Sequence, residues 1–180
     1  EKVILFGDSL MAGYGLPKEQ HLSVVLQNSL ELEGHNIEII NGSVSGSTSA
    51  GGLNIAEWTL SENNIDLMIL CLGANDMLRG INPKETKNNL DEIIQIAKNK
   101  NIKVIIAGMI APTSYGFAYK KSFDKIFSDL SKKHKLQLIP FLLEGVAQNP
   151  KFNLSDGMHP NDQGTIIIGN TLKKAILENL

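Results

Sequence analysis

The sequence predicts an α/β protein, a three-layer α/β/α sandwich on a five-stranded parallel sheet with flavodoxin-like winding. Two observations carry this expectation. Apolar runs of strand length recur five times along 180 residues, and segments with helical periodicity lie between them. The runs are also nearly continuous in apolar residues rather than alternating. That pattern belongs to parallel strands covered by helices on both faces.

Val3 to Phe6 is the first strand, and Leu22, Val25, Leu26 and Leu30 form the apolar stripe of the helix that follows. Ile37 to Asn41 is the second strand. After it, Asn41 to Gly52 reads Asn-Gly-Ser-Val-Ser-Gly-Ser-Thr-Ser-Ala-Gly-Gly, the composition of a flexible, helix-capping connection. Leu67 to Leu72 is the third strand. Pro83, preceded by Asn82, suits a first helical turn, and Leu90, Ile93, Ile94 and Ala97 continue that helix. Val104 to Met109 is the fourth strand, with Phe123, Ile126, Phe127 and Leu130 striping the next helix. Leu136 to Phe141 is the fifth. A last helix, reached through Pro160-Asn161, carries Ile167, Ile168, Leu172, Ala175 and Ile176. Strand order is not written in local patterns; 2-1-3-4-5 is the leading expectation. With no internal repeat or linker, residues 1–180 read as one domain.

Charge is nearly balanced, with a formal net of −2, so neither a nucleic acid nor an anionic membrane is an expected partner. The longest apolar runs are too short to span a bilayer. Lys120, Lys121, Lys125, Lys132, Lys133 and Lys135 read as a solvated helix face. Cys71 has no partner for an internal disulfide and reads as a small buried hydrophobe. Residue 1 lies almost inside the first strand, so either the protein starts short or a targeting segment has been removed.

Chemistry-bearing residues fall mainly where strands end. Ser9 follows the first strand in Gly7-Asp8-Ser9-Leu10, without the second glycine of a G-x-S-x-G elbow. Taken alone it reads as a turn serine capping the next helix. Asp156-Gly157-Met158-His159-Pro160 changes that reading, because a serine needs a base to take its proton and a carboxylate to orient the base. Pro160 pushes His159 out of the helical region and Gly157 eases the turn. Asp156 can then reach Nδ1 of His159 and leave Nε2 for Ser9. Gly46 lets backbone approach a substrate, so its N–H is a candidate oxyanion donor, as are the N–H of Ser9 and the side-chain amide of Asn75. Asn75, in Gly73-Ala74-Asn75-Asp76, reads equally as an Asx-turn. A metal site at Asp156 and His159 would need further ligands, and His21, His35 and His134 lack matching spacing. No metal and no cofactor is expected.

At Ser9, Gly46, Asn75 and His159 the sequence resembles the SGNH hydrolases, also called the GDSL family. The matching blocks are Gly7 to Leu10, Gly46, Gly73 to Asp76, and Asp156 to Asn161, in the family's order across nearly the whole chain. Gly13-Tyr14-Gly15, Asn75 to Gly80, and Ala111-Pro112 with Tyr115-Gly116 look most like the bacterial thioesterase–lysophospholipase–arylesterase branch. The resemblance implies a serine hydrolase of carboxylic esters and thioesters, acting through an acyl-enzyme. Catalysis would rest on Ser9, Asp156 and His159, with Ser9, Gly46 and Asn75 holding the oxyanion. It further implies an acyl groove lined by Met77, Leu78, Ile110, Ala111, Pro112, Tyr115 and Phe117. Members of that branch are often exported to the periplasm, and a monomer acting on a small acyl substrate is expected. Two alternatives compete: a carbohydrate O-deacetylase with the same catalytic residues, and a flavodoxin-like binding module in which the motif is incidental.

Overall fold

The structure, a computed structural model, describes residues 1–61 and 64–180. Five strands are formed: β1 (Lys2–Gly7), β2 (Glu38–Asn41), β3 (Leu67–Cys71), β4 (Lys103–Ala107) and β5 (Gln137–Ile139). All pair in parallel in the order β2-β1-β3-β4-β5, the order expected for flavodoxin-like winding. The register sets Val3 against Leu67 and Gly7 against Cys71. Parallel pairing has one consequence for everything below: the C-terminal ends of all five strands open on a single edge of the sheet.

Burial follows position in the sheet. Every residue of β3 is buried, as the continuous apolar run required, and each such aliphatic side chain stabilises by roughly 1.5–3 kcal/mol relative to exposure. Cys71 is among them, and burial pushes its thiol well above the ordinary range. The outer strands differ from the expectation. Glu38 and Asn41 of β2 are exposed, and only Ile139 of β5 is buried, because an edge strand has a neighbour on one side only.

The helices are α1 (Ser9–Ala12), α2 (Leu22–Leu32), α3 (Ser49–Ser61), α4 (Ala74–Leu78), α5 (Pro83–Asn99), α6 (Phe117–His134) and α7 (Asp162–Leu177). α2 packs with α7, while α5 packs with both α3 and α6. The stripes read from the sequence are the buried faces of α2, α5, α6 and α7, except that Val25 and Ile167 are only half-buried. Asn82 caps α5 by accepting from the Lys84 N–H at 3.0 Å, one residue before Pro83 at the first turn. α3 departs from the expectation of a flexible connection, since residues 49–52 are already helical. Its buried positions are Ser49, Gly52, Ala56 and Leu60, mostly small residues that carry almost no apolar stripe. The small size is what the packing demands. A Cβ on Gly52 would stand 2.4 Å from Cδ1 of Leu72 and 3.3 Å from Phe6.

Candidate active site

Three of the segments leaving the sheet converge with one turn from the C-terminal third of the chain. The first is the β1–α1 junction. Asp8 caps α1, its Oδ1 accepting from the Leu10 N–H at 3.0 Å, and Ser9 is the first helical residue. Its Oγ lies 3.1 Å from Nε2 of His159. The histidine sits on a tight turn closed by the Leu154 N–H donating to the His159 carbonyl at 2.7 Å. Gly157, at φ +71°, supplies the left-handed residue this reversal needs. The turn points Asp156 back at its own end. Oδ1 accepts from the N–H groups of Met158 (2.9 Å) and His159 (3.0 Å), and Oδ2 lies 2.5 Å from Nδ1 of His159.

That hydrogen bonding fixes the protonation pattern. The His159 backbone N–H, then the His159 ring and the Met158 N–H, hold the Asp156 carboxyl at about 2, below the usual carboxylate range. Asp156 is therefore an acceptor throughout the neutral range. Nδ1 carries the hydrogen it accepts, and whenever the imidazole is neutral its lone pair is therefore on Nε2, facing Ser9. Tyr14 lays its ring 4.3 Å from the imidazole, covering one face of an otherwise solvent-accessible pair.

The second and third segments bring the candidate oxyanion donors together. The N–H of Val44 donates to the Gly7 carbonyl at 3.0 Å, seating the 44–47 turn beside β1. Gly46 holds φ +80° at the crest of that turn, a conformation other residues rarely adopt. Asn75 sits in α4, not in an Asx-turn, and its Nδ2 donates to the Ser47 carbonyl at 3.0 Å and more loosely to Asp8 Oδ2 at 3.5 Å. Among the described residues the N–H groups of Ser9 and Gly46 donate no hydrogen bond. Asp76, read from the sequence only as a turn helper, is 1% exposed and holds this arrangement. It accepts from the Ser49 N–H (2.7 Å), Ser49 Oγ (2.5 Å) and Thr86 Oγ1 (2.8 Å), tying the start of α3 to α4 and α5.

Asp8 is the second buried carboxylate, also 1% exposed. Burial, opposed by the Leu10 N–H and by His159, pushes it up to about 6. The folded value lies above the unfolded one, so the folded chain binds the proton more tightly and stability falls as pH rises from about 4 to about 6. Asn at this position keeps the acceptor for Leu10 and removes the titration. The stability of Asp8→Asn minus that of the wild type is thus expected to grow by roughly 2 kcal/mol between pH 4 and pH 7.5, at about 1.36 kcal/mol per pH unit of the span between the two values that this range covers. Urea unfolding of both proteins across that range measures it; a difference that does not change with pH would show that burial does not penalise the charge.

Beside Ser9 and His159 opens a cavity of about 680 Å³, within the range of small-molecule sites. Met77, Leu78, Ile110, Ala111 and Pro112 are among its lining residues. Tyr115 and Phe117 are not. Tyr115 packs against Tyr119 with ring centroids 5.6 Å apart, and Phe117 is 82% exposed with the Lys121 ammonium 6.0 Å from its ring. Gly46 also lies outside the lining, beside it through Ser47. In place of the two aromatics stand Met109, Phe141, Leu143 and Ala147, which the sequence reading does not include. The last three follow β5, whose C-terminal end adjoins that of β4. Ligands of open α/β sheets bind at such ends, and that is the one signal that could have pointed to them.

This fold, with serine, histidine and aspartate hydrogen-bonded in a row at the carboxyl edge of the sheet, is that of a hydrolase class, and residues 5–165 match the model of the GDSL-like lipase/acylhydrolase family. The chain belongs to that family, and it is an ester hydrolase. It is 34% identical to an arylesterase of Vibrio mimicus over 180 residues, covering 100% of this chain and 90% of the relative. It is 30% identical to thioesterase 1/protease 1/lysophospholipase L1 of Escherichia coli K12, covering 98% and 83%. The crystal structure of TesA superposes with a TM-score of 0.94 at 32% identity, covering 100% of both chains.

Proposed function

We propose that residues 1–180 act as one catalytic domain that cleaves carboxylic esters and thioesters of short to medium acyl chains through an acyl-enzyme. The observation that carries this reading is the unbroken relay from Asp156 through His159 to Ser9, ending beside an apolar-walled cavity. Ser9 Oγ attacks the carbonyl carbon while Nε2 of His159 takes its proton. Asp156 accepts from Nδ1 and stabilises the imidazolium that results. The carbonyl oxygen becomes an oxyanion held by the N–H groups of Ser9 and Gly46 and by the Asn75 amide. Collapse expels the alcohol or thiol, which leaves with the proton from Nε2. Water then attacks the acyl-serine by the same relay and frees the acid. The resemblance to exported members of this branch supports a periplasmic or secreted location.

Acyl-chain preference tests the cavity's part. Its walls include Met77, Leu78, Met109, Ile110, Phe141 and Leu143, apolar side chains against which methylenes pack. Each buried CH₂ is worth about 0.8 kcal/mol, so kcat/KM for p-nitrophenyl esters is expected to rise up to about fourfold per added methylene from acetate, then level off where the cavity ends. Parallel assays with acetylated sugars complete the test. If these are cleaved far faster than butyrate or hexanoate esters, the acyl-groove reading falls and the O-deacetylase reading replaces it.

A further inference from the structure

We propose that Lys120 and Asp124, neither of which lines the cavity, set its acyl-chain selectivity by clamping the backbone of Ala111. The inference rests on the acyl-groove reading above. Ala111 is 1% exposed and forms part of the cavity wall. It lies beyond the sheet: the ladder between β4 and β5 closes with the Gly108 N–H on the Ile139 carbonyl at 2.8 Å. A buried peptide group outside regular structure still needs partners for both N–H and C=O. One ion pair of α6 supplies both. The Ala111 N–H donates to Asp124 Oδ1 at 2.7 Å, and Nζ of Lys120 donates to the Ala111 carbonyl at 2.7 Å. The circuit closes with Lys120 Nζ donating to Asp124 Oδ2 at 2.6 Å.

The spacing explains the economy of this device. Residues four apart on a helix stand on the same face, so one turn of α6 presents a donor and an acceptor side by side. An exposed pair of this kind contributes little by itself. Here the pair is part-buried, and its two charges meet the two ends of one backbone residue. Lys120 therefore does not belong to the solvated face that the lysine pattern suggested. Ile110 and Pro112 flank the clamped residue and line the cavity with it, so the clamp fixes where this part of the wall stands. Ser9 and His159 are held by other elements. The clamp is thus a positioning device: releasing it loosens the wall that acyl methylenes touch and spares the bond-breaking groups.

The test compares wild type, Asp124→Asn, Lys120→Met and Lys120→Arg on p-nitrophenyl esters from acetate to decanoate. Asp124→Asn is the mild variant, since its carbonyl oxygen still accepts from Ala111 while its charge is gone. Thermal melts confirm that each variant is folded at the assay temperature. The expected result is a flattened dependence on chain length in Asp124→Asn and Lys120→Met, with hexanoate losing about fourfold in kcat/KM, the worth of roughly one buried methylene, through KM. Acetate stays within about twofold of wild type, because it reaches little beyond the serine. Lys120→Arg, which keeps charge and donors, restores the wild-type profile. Folded variants that lose activity equally on every ester, or keep the wild-type profile, overturn the clamp. A flat series in the wild type itself overturns the acyl groove, and the clamp's role with it.

Discussion

Ser9→Ala is expected to remove nearly all ester hydrolysis while the protein stays folded. The hydroxyl's hydrogen-bond partner in the structure is His159 Nε2, and the helix cap belongs to Asp8, so folding has little stake in it. Alanine suits a first helical turn, and the stability change should stay within about 0.5 kcal/mol. For catalysis the loss is that of the whole relay. Without a nucleophile, His159 and Asp156 have no proton to move. The residual rate comes only from binding and the oxyanion donors, so kcat should drop by roughly 10⁴–10⁶-fold. Members of such a relay act as one unit. His159→Ala should therefore cost about as much, and the double variant little more than either. Steady-state rates of the three variants decide the point: additive losses, or substantial activity in Ser9→Ala, would remove Ser9 from the nucleophile's place. A fluorophosphonate probe should label Ser9 in the wild type and leave Ser9→Ala unlabelled.

Asn75→Ala comes second in size, with an expected fall in kcat of roughly 10²–10³-fold, equivalent to about 2.7–4 kcal/mol, and a much smaller change in KM. The reason lies in how its amide is shared. One hydrogen is committed to the Ser47 carbonyl at 3.0 Å, which holds the side chain in place. The other reaches Asp8 Oδ2 only at 3.5 Å, too long for a strong bond, which leaves that hydrogen available to an oxyanion. Full charge sits on the substrate oxygen in the tetrahedral intermediate and hardly at all in the bound ester, so the amide acts on kcat. A variant with near-normal kcat would leave Asn75 as a brace for the 44–47 turn and nothing more.

Much of this is legible in the amino-acid sequence, for identifiable reasons. The β3 run from Leu67 is continuous because both its faces are covered, and that pattern survives in one dimension. Ser9 and His159 stand out because Asp8-Ser9 follows a strand directly and Gly157 and Pro160 shape a turn by local backbone preference. α3 is not legible. Gly52 is small because α3 packs tightly over Phe6 and Leu72 there, and the small residues buried along α3 read locally as loop. Tyr115 and Phe117 fail as cavity residues because the start of α6 directs Phe117 into solvent, with no trace of that direction in their spacing.

By itself the sequence determined the fold class and brought Ser9, Asp156 and His159 forward as candidates, because each depends on periodicity or on a turn within a few residues. Only the tertiary structure decided how those pieces act on one another. Asp76 reaches Ser49 across 27 residues, His159 reaches Ser9 across 150, and the Ala111 peptide meets the Lys120–Asp124 pair of α6. The cavity's second wall, Phe141 to Ala147, exists only because β5 lies beside β4. Propensity and hydrophobic period act over one or two turns of chain. Partners for buried polar groups, and the walls of a cavity, are found through space, and sequence distance does not constrain them.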